Sequence, residues 1–344
     1  MSLAGARILN LMLGAGGGGL EAMAGHYHAA LEGEGARVLS VGRAGSPFAK
    51  ALADRPGAFL PFTSPGAWDP TAAWRLRAAA RAFDPTLVVA HGTRAQILAK
   101  GMFAAPVAAV VHNYRSKPAL ARCALAICVS ASVLRSVTAA FPGLPTALVE
   151  NFEPLTVGPD RDAFADPPII GTIGRLHPNK GYDLLLDAAA LLRDQGRRFE
   201  LVIAGDGPEA PRLRAQADSL GLADQVRFPG WVEPRAALDD MDIFVSSSRV
   251  EPFGLVIIEA MAAGVPVVAT DIDGPRDILR GGELGALAAA GDADALAAAI
   301  ARVLDAPEMA LSIARRAEAA VMETYSMDAG AARLAAALSP LIQR

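Results

Sequence analysis

Cysteine is scarce: two residues in 344, both in the apolar segment CALAIC (123–128). That excludes a disulfide framework and fits buried thiols in a reducing compartment. The five histidines are scattered, with no metal-ligand spacing. No apolar run approaches the roughly 20 residues of a membrane span. The first apolar run is too short for a secretory signal, and a glycine loop follows it. A soluble, cytoplasmic protein is expected. Charge is also sparse, at 20% of residues. No Asp-x-Asp metal site is expected, and no nucleic-acid partner is read.

What is present divides in two. A chain of 344 residues suits about two domains, and 52% apolar content supplies two cores. Residues 1–150 carry 14 Lys+Arg against 7 Asp+Glu, whereas 151–344 carry 18 against 29. The basic half suits an anionic surface, such as a membrane or a phosphorylated acceptor. Solvated charge with no partner fits the same numbers.

Near the start, GAGGGG (14–19) has the G-x-G-x-x-G spacing of a dinucleotide turn, between an apolar run and a helix start. Glycine backbone approaches phosphate closely, and a helix N-terminus favours negative charge. A dinucleotide site also needs an acidic residue about 20 positions on. The second strand ends instead in GRAG (42–45), where Arg43 leaves NADP open. A plain tight turn is equally consistent.

Strand-like runs at 8–13, 37–41, 86–90, 107–111, 125–129 and 146–149 alternate with helical stretches such as 70–83. Such alternation predicts a parallel sheet covered on both faces. Residues 151–168, rich in Pro and Asp, read as a linker. The pattern then restarts, with strands at 169–173, 199–204, 225–228, 243–246 and 265–269 and helices at 181–195, 211–220, 292–304 and 308–341. The expected class is α/β, two Rossmann-like domains in tandem. Ligands of such sheets bind at the carboxyl ends of the strands, so the cleft between the domains is the default site.

Three stretches carry chemistry. GTIGRLHPNKG (171–181) runs from a strand into a loop holding Arg175 and Lys180, then a helix. A planar fork, a point charge and a helix N-terminus suit a diphosphate, although solvated loop charges would look the same. SSSRVEPFGLVIIEAMAAG (246–264) sets Glu251 before a turn and Glu259 within an otherwise apolar helix. A carboxylate there needs a structural Arg or a ligand. Backbone N–H groups of Phe253, Gly254 and Leu255 are read as donors at the helix start. VPVVATDIDG (265–274) closes the same pocket.

These motifs, G-R-L-x-P-x-K-G, A-G-D-G-P (204–208) and E-P-F-G-L-x-x-x-E-A-M-A-x-G-x-P-V-V-A-T, resemble the family-4 retaining glycosyltransferases of the GT-B fold. The resemblance spans the second half nearly end to end. It is weaker in the first half, through GGGGLE (16–21), VVAHG (88–92), VVHN (110–113), ICVSAS (127–132) and VENF (149–152). It implies two Rossmann-like domains with parallel sheets facing a cleft. Domain 1–150 would bind the acceptor and 169–326 the nucleotide sugar. A C-terminal helix, 327–344, would cross back to the first domain. Arg175 and Lys180 would hold the donor diphosphate, Glu259 the ribose hydroxyls, and Glu251 with Phe253 and Gly254 the sugar. His112 would touch the transferred sugar, and Gly17 and Gly18 would pack near the diphosphate. Gly205, Asp206 and Gly207 would lie at the nucleotide, whose base is expected to meet backbone near 205–209 and 230–234. His91 either orients the acceptor or caps its strand.

The resemblance further implies a retaining, metal-independent transfer without cofactor, from a nucleoside diphosphate sugar to a hydroxyl of a glycan or lipid-linked acceptor. A lipopolysaccharide-type acceptor at the inner membrane face is expected, and the basic half motivates the membrane contact. Two departures concern the acceptor side: Asn151-Phe152-Glu153 replaces the family's Asn-Asp-Gly-Val type of junction, and no acid precedes Val129-Ser130. A GT-B-fold nucleotide-sugar isomerase is the alternative, and a silent nucleotide-sugar binder a third reading.

Overall fold

Apolar runs alternating with helical stretches become parallel strands here because both faces of such a sheet are covered. The computed structural model describes residues 3–14, 19–63, 69, 71–99, 104–115 and 118–342. The chain forms two units, Met1–Pro154 with Tyr325–Arg344, and Leu155–Thr324.

In the first unit the strands are β1 (Arg7–Met12), β2 (Arg37–Gly42), β3 (Phe59–Pro61), β4 (Leu87–His91), β5 (Val107–Val111), β6 (Leu125–Cys128) and β7 (Thr146–Leu148). They form one parallel sheet in the order β3-β2-β1-β4-β5-β6-β7. Helices α1 (Gly19–Gly33), α2 (Pro47–Ala51), α3 (Ala72–Ala80), α4 (Gly92–Ala99) and α5 (Ala131–Ala140) connect them. Ser46 and Ser130 cap α2 and α5 through their hydroxyls. The order reverses between β1 and β4, so the loops after these strands flank the sheet's switch point. Gly17 and Gly18 belong to the first of those loops and lie outside the described residues. Both cysteines are free, and burial raises the Cys123 thiol to about 11 and the Cys128 thiol to about 12.

The second unit repeats the plan with β8 (Ile169–Ile173), β9 (Glu200–Ala204), β10 (Val226–Gly230), β11 (Ile243–Ser246), β12 (Val267–Thr270) and β13 (Ala286–Ala288). Their order is β10-β9-β8-β11-β12-β13. Helices α6 (Tyr182–Asp194), α7 (Ala210–Ser219), α8 (Pro234–Asp239), α9 (Leu255–Ala262), α10 (Asp273–Ile278), α11 (Ala293–Asp305) and α12 (Pro307–Tyr325) complete it. Leu185, Leu186, Ala189 and Leu192 of α6 pack with Leu296 and Ile300 of α11 and with Leu201 and Ile203 of β9 in one core. Here the reversal falls between β8 and β11.

Residues 151–154 stay with the first unit, whereas residues beyond them are fastened to the second. The Gly158 amide donates to the Ala262 carbonyl (2.9 Å), and Arg161 donates to the Leu238, Asp239 and Met241 carbonyls. The helical stretch expected at 308–341 is two helices, α12 and α13 (Met327–Ile342), broken at Ser326. Ser326 pairs with Glu153 in a parallel bridge, which the Glu153 amide reinforces by donating to the Tyr325 carbonyl (3.0 Å). α13 packs on α1, and Arg333 faces Glu150 at 3.4 Å.

Candidate active site

In the second unit, the loops after β8 and β11 meet at the switch point. Lys180 ends the first, Glu251 lies in the second, and their Nζ and Oε2 atoms are 2.5 Å apart. Backbone locks the loops together. The Ser247 hydroxyl donates to the Lys180 carbonyl (3.0 Å), and the Arg249 amide to the Asn179 carbonyl (2.7 Å). Arg249 also clamps Asp183 of α6 with both terminal nitrogens, at 2.7 and 2.8 Å. The first turn of α10, which follows β12, holds the Glu251 loop: the Gly274 amide donates to the Glu251 carbonyl (3.2 Å). Thr270 Oγ1 donates to the Ser248 carbonyl (2.6 Å). The three motif stretches thus converge on one pair of side chains.

Arg175 is exposed on the same loop as Lys180, whose Cε lies 3.8 Å from where a Cβ on Gly174 would stand. Helix α9 begins at Leu255 with Gly254 as its cap and Phe253 buried before it. Of the three expected donors only Leu255 is therefore in the first helical turn. Glu259, one turn further on, is half-buried.

Gly205, Asp206 and Gly207 take a place that spacing does not announce. The Gly174 amide donates to the Ala204 carbonyl (3.0 Å), and the Leu176 amide to the Asp206 carbonyl (2.9 Å). The Gly207 amide turns inward to the Asp206 side chain (2.7 Å). These residues brace the Arg175 loop.

Asp-x-Asp spacing does occur, contrary to expectation, at 160–162, 240–242, 271–273 and 292–294. Three of these have structural work. Asp242 accepts from the Ala165 and Ile169 amides, Asp271 pairs with Arg276 at 2.6 Å, and Asp292 caps α11. Among the described residues no group of three His, Cys, Asp or Glu could hold a metal ion.

In the first unit, His112 follows β5 and His91 ends β4, both at the carboxyl edge of the sheet. His91 Nδ1 is 3.3 Å from His112 Nε2, and His91 Nε2 is 3.0 Å from Asn10 Oδ1 of β1. His91 is 1% exposed, so it presents no ring edge to an acceptor. Asn10, fully buried, was not singled out from the sequence. Its signal is a lone amide in a strand buried on both faces, where polar groups need partners.

Burial pushes the His112 imidazole down to about 4 and, together with His112 itself, holds His91 well below its ordinary value. Both rings are neutral in the folded protein near neutral pH, whereas in the unfolded chain they take up protons near pH 6.5. The unfolded state then binds more protons between about 6.5 and 4, so stability is lost as pH falls through that window. Thermal denaturation is expected to show this, with a shallower loss for His112→Asn. An unchanged slope in that variant would contradict the assignment.

Residues 159–320 match the family model of glycosyl transferases group 1. The lipopolysaccharide core biosynthesis glycosyltransferase LpsE of Rhizobium meliloti (strain 1021) is 36% identical over 169 residues, 49% of this chain and 48% of that protein. The phosphatidyl-myo-inositol mannosyltransferase of Mycobacterium leprae (strain TN) is 43% identical over 131 residues, 37% of this chain and 34% of that protein. These alignments span half or less of the relatives' own length. Among solved structures, Anabaena HepE in complex with UDP and glucose superposes with a TM-score of 0.83 at 22% identity, covering 97% of this chain and all of that one. The lipopolysaccharide outer core galactosyltransferase WaaB in its apo form gives 0.73 at 16% identity, over 97% and 99%. The fold is GT-B, and residues 159–320, just under half of the chain, carry the match to glycosyl transferases group 1.

Proposed function

We propose that the chain transfers a sugar from a nucleoside diphosphate sugar to a hydroxyl of a glycan or lipid-linked acceptor, with retention at the anomeric carbon and without a metal. The carrying observation is the Lys180–Glu251 pair at the switch point, built from loops of three strands. A departing diphosphate needs counter-charge, which Lys180, Arg175 and the start of α9 supply. Phosphate oxygens compete with Glu251 for Lys180, and a carboxylate so released accepts hydrogen bonds from sugar hydroxyls. Glu259 would take the ribose hydroxyls, as the resemblance implies. With charge neutralised by side chains and dipoles, the acceptor hydroxyl attacks on the face the diphosphate leaves, and catalysis is mainly positioning.

The name of LpsE favours a lipopolysaccharide-type acceptor. Peripheral contact with an anionic membrane draws support from α3 and the turn after it, where Trp74 is 72% exposed among exposed Arg75, Arg77 and Arg81. Sedimentation with anionic vesicles at low salt reads that contact directly, and absence of binding would remove it. The relatives named above carry transferase names and give the isomerase reading no support.

Thermal stabilisation by UDP, GDP, ADP and CMP in the presence of a chelator tests the donor site. UDP comes first, since HepE shares the fold and is seen with UDP and glucose. A nucleotide at 100 times its Kd is expected to add about 2.7 kcal/mol to stability. The shift should vanish in Glu259→Ala and shrink in Lys180→Ala. Stabilisation by none of them, or only when a metal is added, would overturn the proposal.

A further inference from the structure

The buried amide of Asn10 leaves no choice of orientation. Its Nδ2 donates to the Ala24 carbonyl (2.9 Å) and to Ser40 Oγ (3.1 Å). A reversed amide would set two oxygens against each other at Ala24. Ser40, having accepted from Asn10, has its own proton free for His28 Nδ1 at 2.9 Å, which anchors it further. Asn10 Oδ1 therefore faces His91 Nε2, and only an N–H can answer an oxygen there.

A neutral imidazole carries one N–H. With it spent on Asn10, His91 Nδ1 is a bare acceptor. The atom opposite is His112 Nε2 at 3.3 Å, which must bring the proton. His112, neutral in turn, keeps a lone pair on Nδ1. Tyr27, edge-on to His91 with ring centroids 4.8 Å apart, holds the intermediate ring in place.

We infer that Asn10, acting through His91, fixes His112 in the Nε2–H tautomer, so that its Nδ1 lone pair is the atom offered to a substrate hydroxyl. Asn10 and His91 are positioning residues: neither touches substrate. The inference rests on the transferase reading only for that hydroxyl, which would belong to the transferred sugar. An Nδ1 acceptor takes the hydroxyl's proton in a hydrogen bond and orients its oxygen. The other tautomer would present a donor and turn the hydroxyl round.

Nitrogen-15 NMR of the imidazoles in the full chain near pH 7.5 shows which ring nitrogen is protonated, with His112 assigned by its loss in His112→Asn. The wild type is expected to show His112 as Nε2–H. His91→Phe keeps a flat ring against Tyr27 and removes the acceptor, so the Nδ1–H form should appear, with kcat down about tenfold and KM changed less. His91→Asn places an amide oxygen near the lost Nδ1 and should restore both readings. It also serves if the phenylalanine variant is poorly folded. His112 as Nδ1–H in the wild type, or a tautomer unchanged in His91→Phe, would overturn the inference. The spectrum needs no turnover. A protein with the stated tautomers that transfers no sugar would overturn the proposed function and leave the relay standing.

Discussion

Lys180→Ala is expected to lower kcat/KM for sugar transfer about 100- to 1,000-fold, the usual cost of removing one electrostatic contact to a developing oxyanion. Most of the loss should fall in kcat. Charge on the diphosphate grows as the glycosidic bond breaks, so the cation is worth more in the transition state than in the bound donor. The loss has a second source. Lys180 sits 2.5 Å from Glu251, and the two side chains are 30% and 15% exposed. Without the cation, Glu251 keeps its charge in a half-buried place, beside the phosphates it would then repel. Lys180→Arg should recover part of the rate, as a cation that cannot reach Glu251 with the same geometry. Glu251→Gln separates the sources, since it removes the repulsion and leaves Lys180. Steady-state kinetics with the preferred nucleotide sugar measures all three. A rate for Lys180→Ala within threefold of wild type would remove Lys180 from the site.

Lys180 and Glu251 could each be singled out in the sequence, though not their contact with one another, and the reason is physical. Arg175, Lys180, Glu251 and Glu259 are charged residues in or beside apolar segments, where charge needs a purpose. Their strands are short and mostly apolar, so the loops could be placed to within a residue or two. β3 and β13 escaped because three residues at a sheet edge, one of them Pro61, show no periodicity. The break at Ser326 escaped because no Gly or Pro interrupts the helical spacing there. The Glu153 bridge that breaks it comes from 173 residues earlier in the chain. Asn10 and His91 look like ordinary strand residues one at a time. Only the register of β1 against β4, which sets Met12 beside His91, brings them together. Gly205 to Gly207 were legible as a loop after a strand. Their hydrogen bonds to the Arg175 loop were not, because nothing in A-G-D-G-P says which neighbour it braces.

Gly205→Ala should therefore act through its neighbour. Gly205 has φ +133°, a backbone conformation L side chains rarely adopt. A Cβ there would run into the Gly174 carbonyl oxygen and lie 2.9 Å from the Gly174 carbonyl carbon. Those atoms are backbone, so neither can rotate away. Backbone strain of about 1–3 kcal/mol adds to an overpacking cost of about 1–3 kcal/mol. At about 2–4 °C per kcal/mol for a domain of this size, the second unit is expected to melt about 4–24 °C lower. Gly196→Ala is the matched control: its φ is +77°, with no atom within 4 Å of the added Cβ, so only backbone strain applies. Whatever Gly205→Ala loses beyond that control measures the press against Gly174 together with the harsher φ at Gly205. The same displacement moves Arg175, one residue on, so nucleotide stabilisation should weaken well below the melting range, where the protein is still folded. Equal melting of the two variants would mean that the Gly174 loop yields freely. Gly205, Asp206 and Gly207 would then have to be explained by the ligand they touch rather than by the loop they hold.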